Sequence, residues 1–332
     1  MSSTLPTPRG PLSETVIETL ARSPGTVGRL PRAERDPYGE DLQLALYVCY
    51  ELHYRGFDGV AAEWEWEPGL LAARAELERA FLVRLRSDTQ GGDDVSAATE
   101  KLLVEPVDGE GVSHYLRDQG ELWQVREFVI HRSIYHLKEA DPHAFVIPRL
   151  QGRAKTALVA VEYDEFGGGR AERMHSRLFA DLMDALGLDS TYGAYLDVVP
   201  ARMLATVNLM SMFGLHRALR AAMVGHFAAA EITTAPSARR MDQALRRLGV
   251  EAVFYSEHIE ADAVHEQVLR RDVIGDLLHR EPHLARDVVF GVQATELLEE
   301  RLGEHLLASW RAGHGSLLAG DAGSPLATPA RG

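Results

Sequence analysis

His258, Asp262 and His265 are spaced i, i+4, i+7 in a stretch without a helix breaker. At about 100° per residue, a helix brings all three within roughly 60° on one face. Two imidazoles and a carboxylate on one stripe suit a transition metal such as iron. The plain alternative is a solvated acidic face, since Glu257, Glu260 and Glu266 lie nearby. A second cluster far upstream, Glu139, Glu165 and His175, favours the metal. Two carboxylate/histidine clusters on different helices are the parts of a di-iron site inside a helical bundle.

Each upstream residue has its own alternative. Glu139 closes a helix that starts near Glu121, an end where the dipole is already negative and a cation is welcome. That cation is a metal, or it is Arg132 or His136, seven and three residues earlier on the same face. Glu165 stands just before Gly167, Gly168 and Gly169. On an unbroken helix Glu165 and His175 would point about 80° apart, so the break is needed for them to face one centre. Glu172 is a rival partner, because Glu172 and His175 form the Glu-x-x-His pair of ferritin-like bundles. Spacing leaves both open. Glu231 ends the small-residue stretch AAMVGHFAAAEIT, five residues after His226, and reads equally as a surface residue or an inward ligand.

The elements that position these residues read as helices. The 332 residues are 45% hydrophobic and 25% charged, enough for a full-sized core. Apolar spacing predicts helices at 39–55, 69–86, 121–141, 149–166, 171–186, 200–213, 215–232, 237–248, 251–279 and 284–312. The residue before Pro142 is pushed out of the helical region, which sets the stop at 141. Strand signals are weak, and the fold class is all-α. The expected organisation is a flexible arm over 1–36, a helical segment over 37–115, the main domain over 116–314 and a disordered Gly/Ala/Pro/Ser-rich tail over 315–332. The polar stretch 87–96 is the best internal boundary.

Charge and motifs exclude several function classes. A net charge of -14, with 49 acidic and 35 basic side chains, argues against nucleic acid and anionic membranes. The N-terminus has no apolar leader and no 18-residue apolar run occurs, so the expected location is cytoplasmic. The single cysteine, Cys49, sits in LALYVCYEL and reads as a buried, inert thiol. The triple glycine is followed by Arg170, not by a phosphate-loop lysine. There is no Gly-x-Ser-x-Gly, His-Glu-x-x-His or Cys-x-x-Cys.

The run SIYHLKEADPHAFVIPRLQGRAKTALVAVEYDEFGGGRAERMH, followed by HIEADAVH, resembles the heme-oxygenase-like di-iron oxidases and oxygenases over roughly residues 120–310. Within that family the chain resembles the N-oxygenase domain found in nitrosourea-forming enzymes. The resemblance implies a seven-helix, heme-oxygenase-like bundle with an additional N-terminal helical segment that serves dimerisation as a homodimer. It implies metal ligands at Glu139, Glu165, His175, Glu231, His258, Asp262 and His265. It implies two Fe(II)/Fe(III) ions with O2 as co-substrate, a peroxo-diferric intermediate, and an external electron donor. The substrate would be a small molecule such as an amine or amino acid, oxidised by N-hydroxylation, desaturation or C–C fragmentation. The expected pairing puts Glu139, His175 and His265 on one iron, and His258 and Asp262 on the other. Glu165 and Glu231 would bridge or complete the centre.

Three other readings compete. One is a non-catalytic metal-binding bundle that acts through partners. Another is a heme-binding oxygenase, with His131 or His136 as proximal ligand. The third is a thiaminase-like hydrolase, which needs a cysteine nucleophile. Pocket lining is expected from Tyr135, Phe166, Phe179, Met210, Phe213 and Phe227.

Overall fold

The computed structural model describes residues 3–25, 27–31, 36–104, 109–251 and 253–319, apart from the side chains of 260–263. In chain order the α-helices are α1 Pro11–Leu20, α2 Glu40–Glu51, α3 Pro68–Asp88, α4 Val95–Leu103 and α5 Val112–Gln119. They continue with α6 Leu122–His136, α7 Asp141–Ala144, α8 Gly152–Glu165, α9 His175–Ala185 and α10 Ala201–Leu215. The last four are α11 Arg220–Arg247, α12 Val253–Val268, α13 Gly275–Arg280 and α14 Ala285–Arg311. Among the described residues no strand forms, only an isolated bridge between Ser3 and Phe57. The protein is all-α.

Two long helices, α11 and α14, cross at the centre through reciprocal glycines. A Cβ on Gly225 would meet Val288 O at 2.1 Å, and one on Gly291 would meet Ala222 O at 2.0 Å. Only glycine permits this backbone approach. It brings Glu231 and His226 of α11 and Thr295 of α14 into the middle of the bundle. The sequence predicts two helices over 215–248, whereas α11 is continuous with Pro236 inside it. Proline removes one backbone donor there, and Thr233 and Thr234 hydroxyls bond back to Ala229 O and Ala230 O just upstream.

The N-terminal segment is part of this body. Leu12, Val16 and Leu20 of α1 are buried, so residues 11–20 are not a free arm; their apolar face packs on α2. The apolar surplus of α2 is likewise consumed inside the chain, where Leu44, Ala45, Leu46 and Val48 pack between α1, α3 and α10. Within 87–96 only residues 89–94 form a loop, with α3 on one side and α4 on the other both packed on α14. The tail expected to be disordered from 315 is docked at its start. Ser316 donates from N and Oγ to Glu127 Oε2 at 2.9 and 2.7 Å, and Leu318 N donates to Val198 O at 2.8 Å. Residues 320–332 lie outside the described residues. Among those described, no helix is long and apolar enough to cross a membrane.

Candidate metal centre

α6 opens with a capping box, in which Glu121 and Gln124 satisfy each other's backbone N–H groups. It ends at His136 rather than running to 141, and Asp141-Pro142 starts the short α7, where proline at a first turn is well tolerated. Glu139 therefore sits in the turn between the two helices. Ala140 beside it holds φ 74°, a conformation that costs a residue with a side chain about 1–3 kcal/mol and persists only where its surroundings dictate it. Those surroundings include a buried ion pair from Lys138 to Glu51 of α2, at 2.8 Å. Downstream, α8 ends at Glu165 and the chain reverses through Gly167, Gly168 and Gly169, all with positive φ. A Cβ on Gly167 would lie 2.6 Å from Arg173 C and Met174 N. That close approach lets α9 begin at His175, directly beside Glu165.

The buried side chains form two overlapping groups. In the first, Glu139, Glu165, His175 and His258 each offer one ligand atom, all within 4.8 Å of one another. In the second, Glu165, Glu231 and His265 do the same. Glu165 belongs to both. Its Oε2 is 2.7 Å from His175 Nδ1 and its Oε1 3.5 Å from His265 Nδ1. His265 Nδ1 is also 3.2 Å from Glu231 Oε2.

Two of the imidazoles are oriented from behind. His258 Nδ1 lies 2.7 Å from Phe254 O, so Nδ1 donates to the carbonyl, while Nε2 points into the cluster at 3.7 Å from Glu139 Oε1. His265 Nε2 lies 3.2 Å from Asp164 Oδ2, which leaves Nδ1 for the second group. Such backing by a carbonyl or carboxylate is what metal-bound histidines generally have.

The electrostatics call for a cation. Glu139 Oε2 and both Glu162 oxygens are buried without a hydrogen-bond partner, and the close contacts of Glu165 with His175 and His265 lack hydrogen-bond geometry. Burial, then the charges of Glu165 and Glu231, push the Glu162 carboxyl up to about 9. Burial would raise Glu139 and Glu165 as well. His136 and His258 override it at Glu139, and His175 and His265 at Glu165, holding both carboxyls low. Burial opposes protonation of His265, yet Glu165 and Glu231 overcome it and push the imidazole up to about 11. The metal-free cluster thus holds a proton where a cation would serve. Carboxylates with backed imidazoles and orphaned buried oxygens fit iron.

Against the sequence expectations, the fold brings Glu139, Glu165, His175, Glu231, His258 and His265 together. Glu165 rather than Glu172 adjoins His175; Glu172 is exposed in the turn Ala171–Arg173. The expected pairing is exchanged, because His258 stands with Glu139 and His175 while His265 stands with Glu231. The Asp262 side chain lies outside the described residues. The local alternative for Glu139 is also present, with His136 Nδ1 at 2.9 Å from Oε1, whereas Arg132 pairs with Glu299 instead. Glu162 is the inward residue that spacing analysis passed over. Its signal was the i, i+3 relation to Glu165, which places both on one face of α8.

A cavity of about 750 Å³ opens onto Glu139, Glu165, Glu231 and His258. Tyr135, Met210 and Phe227 line it as expected; Phe179 and Phe213 belong to the core, and Phe166 caps α8. His131 is fully buried with Nε2 at 2.9 Å from Ser316 Oγ, and His136 faces Glu139, so neither is placed as a proximal heme ligand. Cys49 is buried in α2, and burial pushes its thiol up to about 12, which removes the nucleophile a hydrolase would need.

Comparison with known proteins agrees with this geometry. The chain is 26% identical over 219 residues to the nitrosourea synthase of Streptomyces achromogenes subsp. streptozoticus, an alignment covering 64% of this chain. The matched stretch spans 43% of that longer protein. Residues 126–300, which carry every residue of both ligand groups, match the family described as iron-containing redox enzyme. The chain belongs to the iron-containing redox enzyme family and is an iron-dependent oxidoreductase with a heme-oxygenase-like helical bundle.

Proposed function

We propose that this protein binds two iron ions, one in each ligand group, and uses O2 to oxidise a small molecule in the adjoining cavity. The observation that carries this reading is the double membership of Glu165, a single carboxylate shared by two ligand groups. Glu139, His175 and His258 would complete the first ion, and Glu231 and His265 the second, with Asp262 assigned to the same face of α12 by its spacing. Bound iron supplies the electrons and open positions that O2 activation requires. The chain's own part is to fix the ligands from behind, through Phe254 O at His258 and Asp164 at His265. Glu162 keeps a proton beside the centre in the metal-free protein.

The relative's name says that it makes a nitrosourea, and on that basis we assign the substrate to amines and amino acids and the outcome to nitrogen oxidation. Electrons for repeated turnover come from an external donor. The test is oxygen uptake by iron-loaded protein against a panel of amines and amino acids, with products read by mass spectrometry. Uptake coupled to gain of oxygen at nitrogen is expected. Iron binding without oxygen uptake would favour the non-catalytic reading, and a Soret band on addition of heme would favour the heme reading.

A further inference from the structure

Beside the metal centre the same cavity holds a second pair of imidazoles, His143 and His226, exposed by 2% and 1%. The rings stack with centroids 5.4 Å apart, and His143 also stacks on Phe227 at 4.1 Å with an interplanar angle of 10°. The Nε2 atom of each is buried with no hydrogen-bond partner. Burial depresses both basicities, His143 to about 4 and His226 well below the usual value, so both rings are neutral.

The donor pattern around His226 fixes its tautomer. Thr295 Oγ1 lies 2.8 Å from Gly291 O and 2.8 Å from His226 Nδ1. A carbonyl only accepts, so the single hydroxyl proton of Thr295 goes to Gly291 O. His226 Nδ1–H must then donate to Thr295 Oγ1, and His226 Nε2 is left as a bare acceptor in the cavity wall. A hydrocarbon chain at this depth would leave that acceptor unsatisfied, which is costly in a buried site.

We propose that His226 Nε2, with His143 beside it, is a substrate-recognition subsite that takes an N–H or O–H donor of a neutral polar group. This deepens the proposed function, since the ligand it selects is the molecule to be oxidised. The subsite rejects purely aliphatic substrates and accepts amide, ureido or hydroxyl groups. His226 is here a binding residue, held by Thr295.

The experiment compares hexanamide with 2-heptanone, equal in size and differing by NH2 in place of CH3. Both are titrated into the whole 332-residue chain, free of metal, with imidazole nitrogens followed by 15N NMR. The expected result is a pyridine-type Nε2 at His226 that shifts with hexanamide and not with 2-heptanone. The amide should bind about tenfold more tightly, and His226→Leu should abolish that preference while still taking up iron. An N–H-type Nε2, equal affinities, or no response to hexanamide would overturn the proposal. Because no iron is present during the titration, its outcome is independent of whether the wild type binds two irons.

Discussion

The turn that carries Glu139 is anchored to the N-terminal helices by one buried ion pair, and breaking it should be measurable in both stability and metal uptake. Lys138 Nζ and Glu51 Oε2 are 2.8 Å apart, with both residues 1% exposed. The Tyr192 hydroxyl donates to the same carboxylate, at 2.7 and 2.9 Å from its two oxygens. Lys138 Nζ also lies 4.1 Å above the Tyr54 ring. Glu51→Gln keeps the volume and leaves the ammonium buried without its counter-charge, which typically costs about 3–5 kcal/mol. With a urea slope of about 3 kcal/mol per molar, the midpoint should fall by about 1–1.7 M. Lys138→Met should do the same. The double substitution removes both charges and should return to within about 1 kcal/mol of wild type, a coupling of at least about 5 kcal/mol. Urea unfolding of metal-free protein at neutral pH, followed by circular dichroism, gives all four numbers. Single variants within about 0.3 M of wild type, or a double variant no better than the singles, would refute the claim that this pair fixes the turn.

Glu165→Gln should fold with unchanged helix content yet bind at most one iron, whereas Glu172→Gln should bind as wild type; metal analysis after gel filtration distinguishes them. Stability should also depend on pH through His131, which burial holds down to about 3 in the fold. Because the folded value lies below the unfolded one of about 6.5, the unfolded chain binds the extra proton, and stability is complete above 6.5 and falls as pH drops toward 3. The His131 share of the loss at pH 5 is about 2 kcal/mol, beside those of the buried His143 and His226, so His131→Gln should lessen the fall of the urea midpoint between pH 7 and 5 without removing it. Cys49→Ser should leave oxygen uptake intact, since the thiol is buried away from the cavity; abolished uptake in a folded protein would revive the nucleophile.

Much of the centre was legible because helical spacing is local information. His258 and His265 share a face of α12 by arithmetic alone, and the Gly167–Gly169 break announced that Glu165 and His175 need not diverge. The choice of Glu165 over Glu172 was not legible. It depends on how far the triple-glycine turn folds back, which Gly167's contact with Arg173 and Met174 decides. The exchange of His258 and His265 between ligand groups is likewise tertiary, set by α12 crossing both α8 and α11. Apolar spacing predicts a break between 232 and 237, yet packing of Ala235 and Ala238 in the core carries α11 through Pro236. The role of His226 was hidden because its tautomer depends on Thr295, 69 residues away.

The central claim is that Glu165 joins two metal positions in one buried cluster. Anaerobic titration of metal-free protein with ferrous iron, read by metal analysis and Mössbauer spectroscopy, tests it most directly. The account predicts saturation at two irons per chain, with spectra of coupled ions after exposure to O2. Saturation at one iron, or no uptake by folded protein, would contradict it.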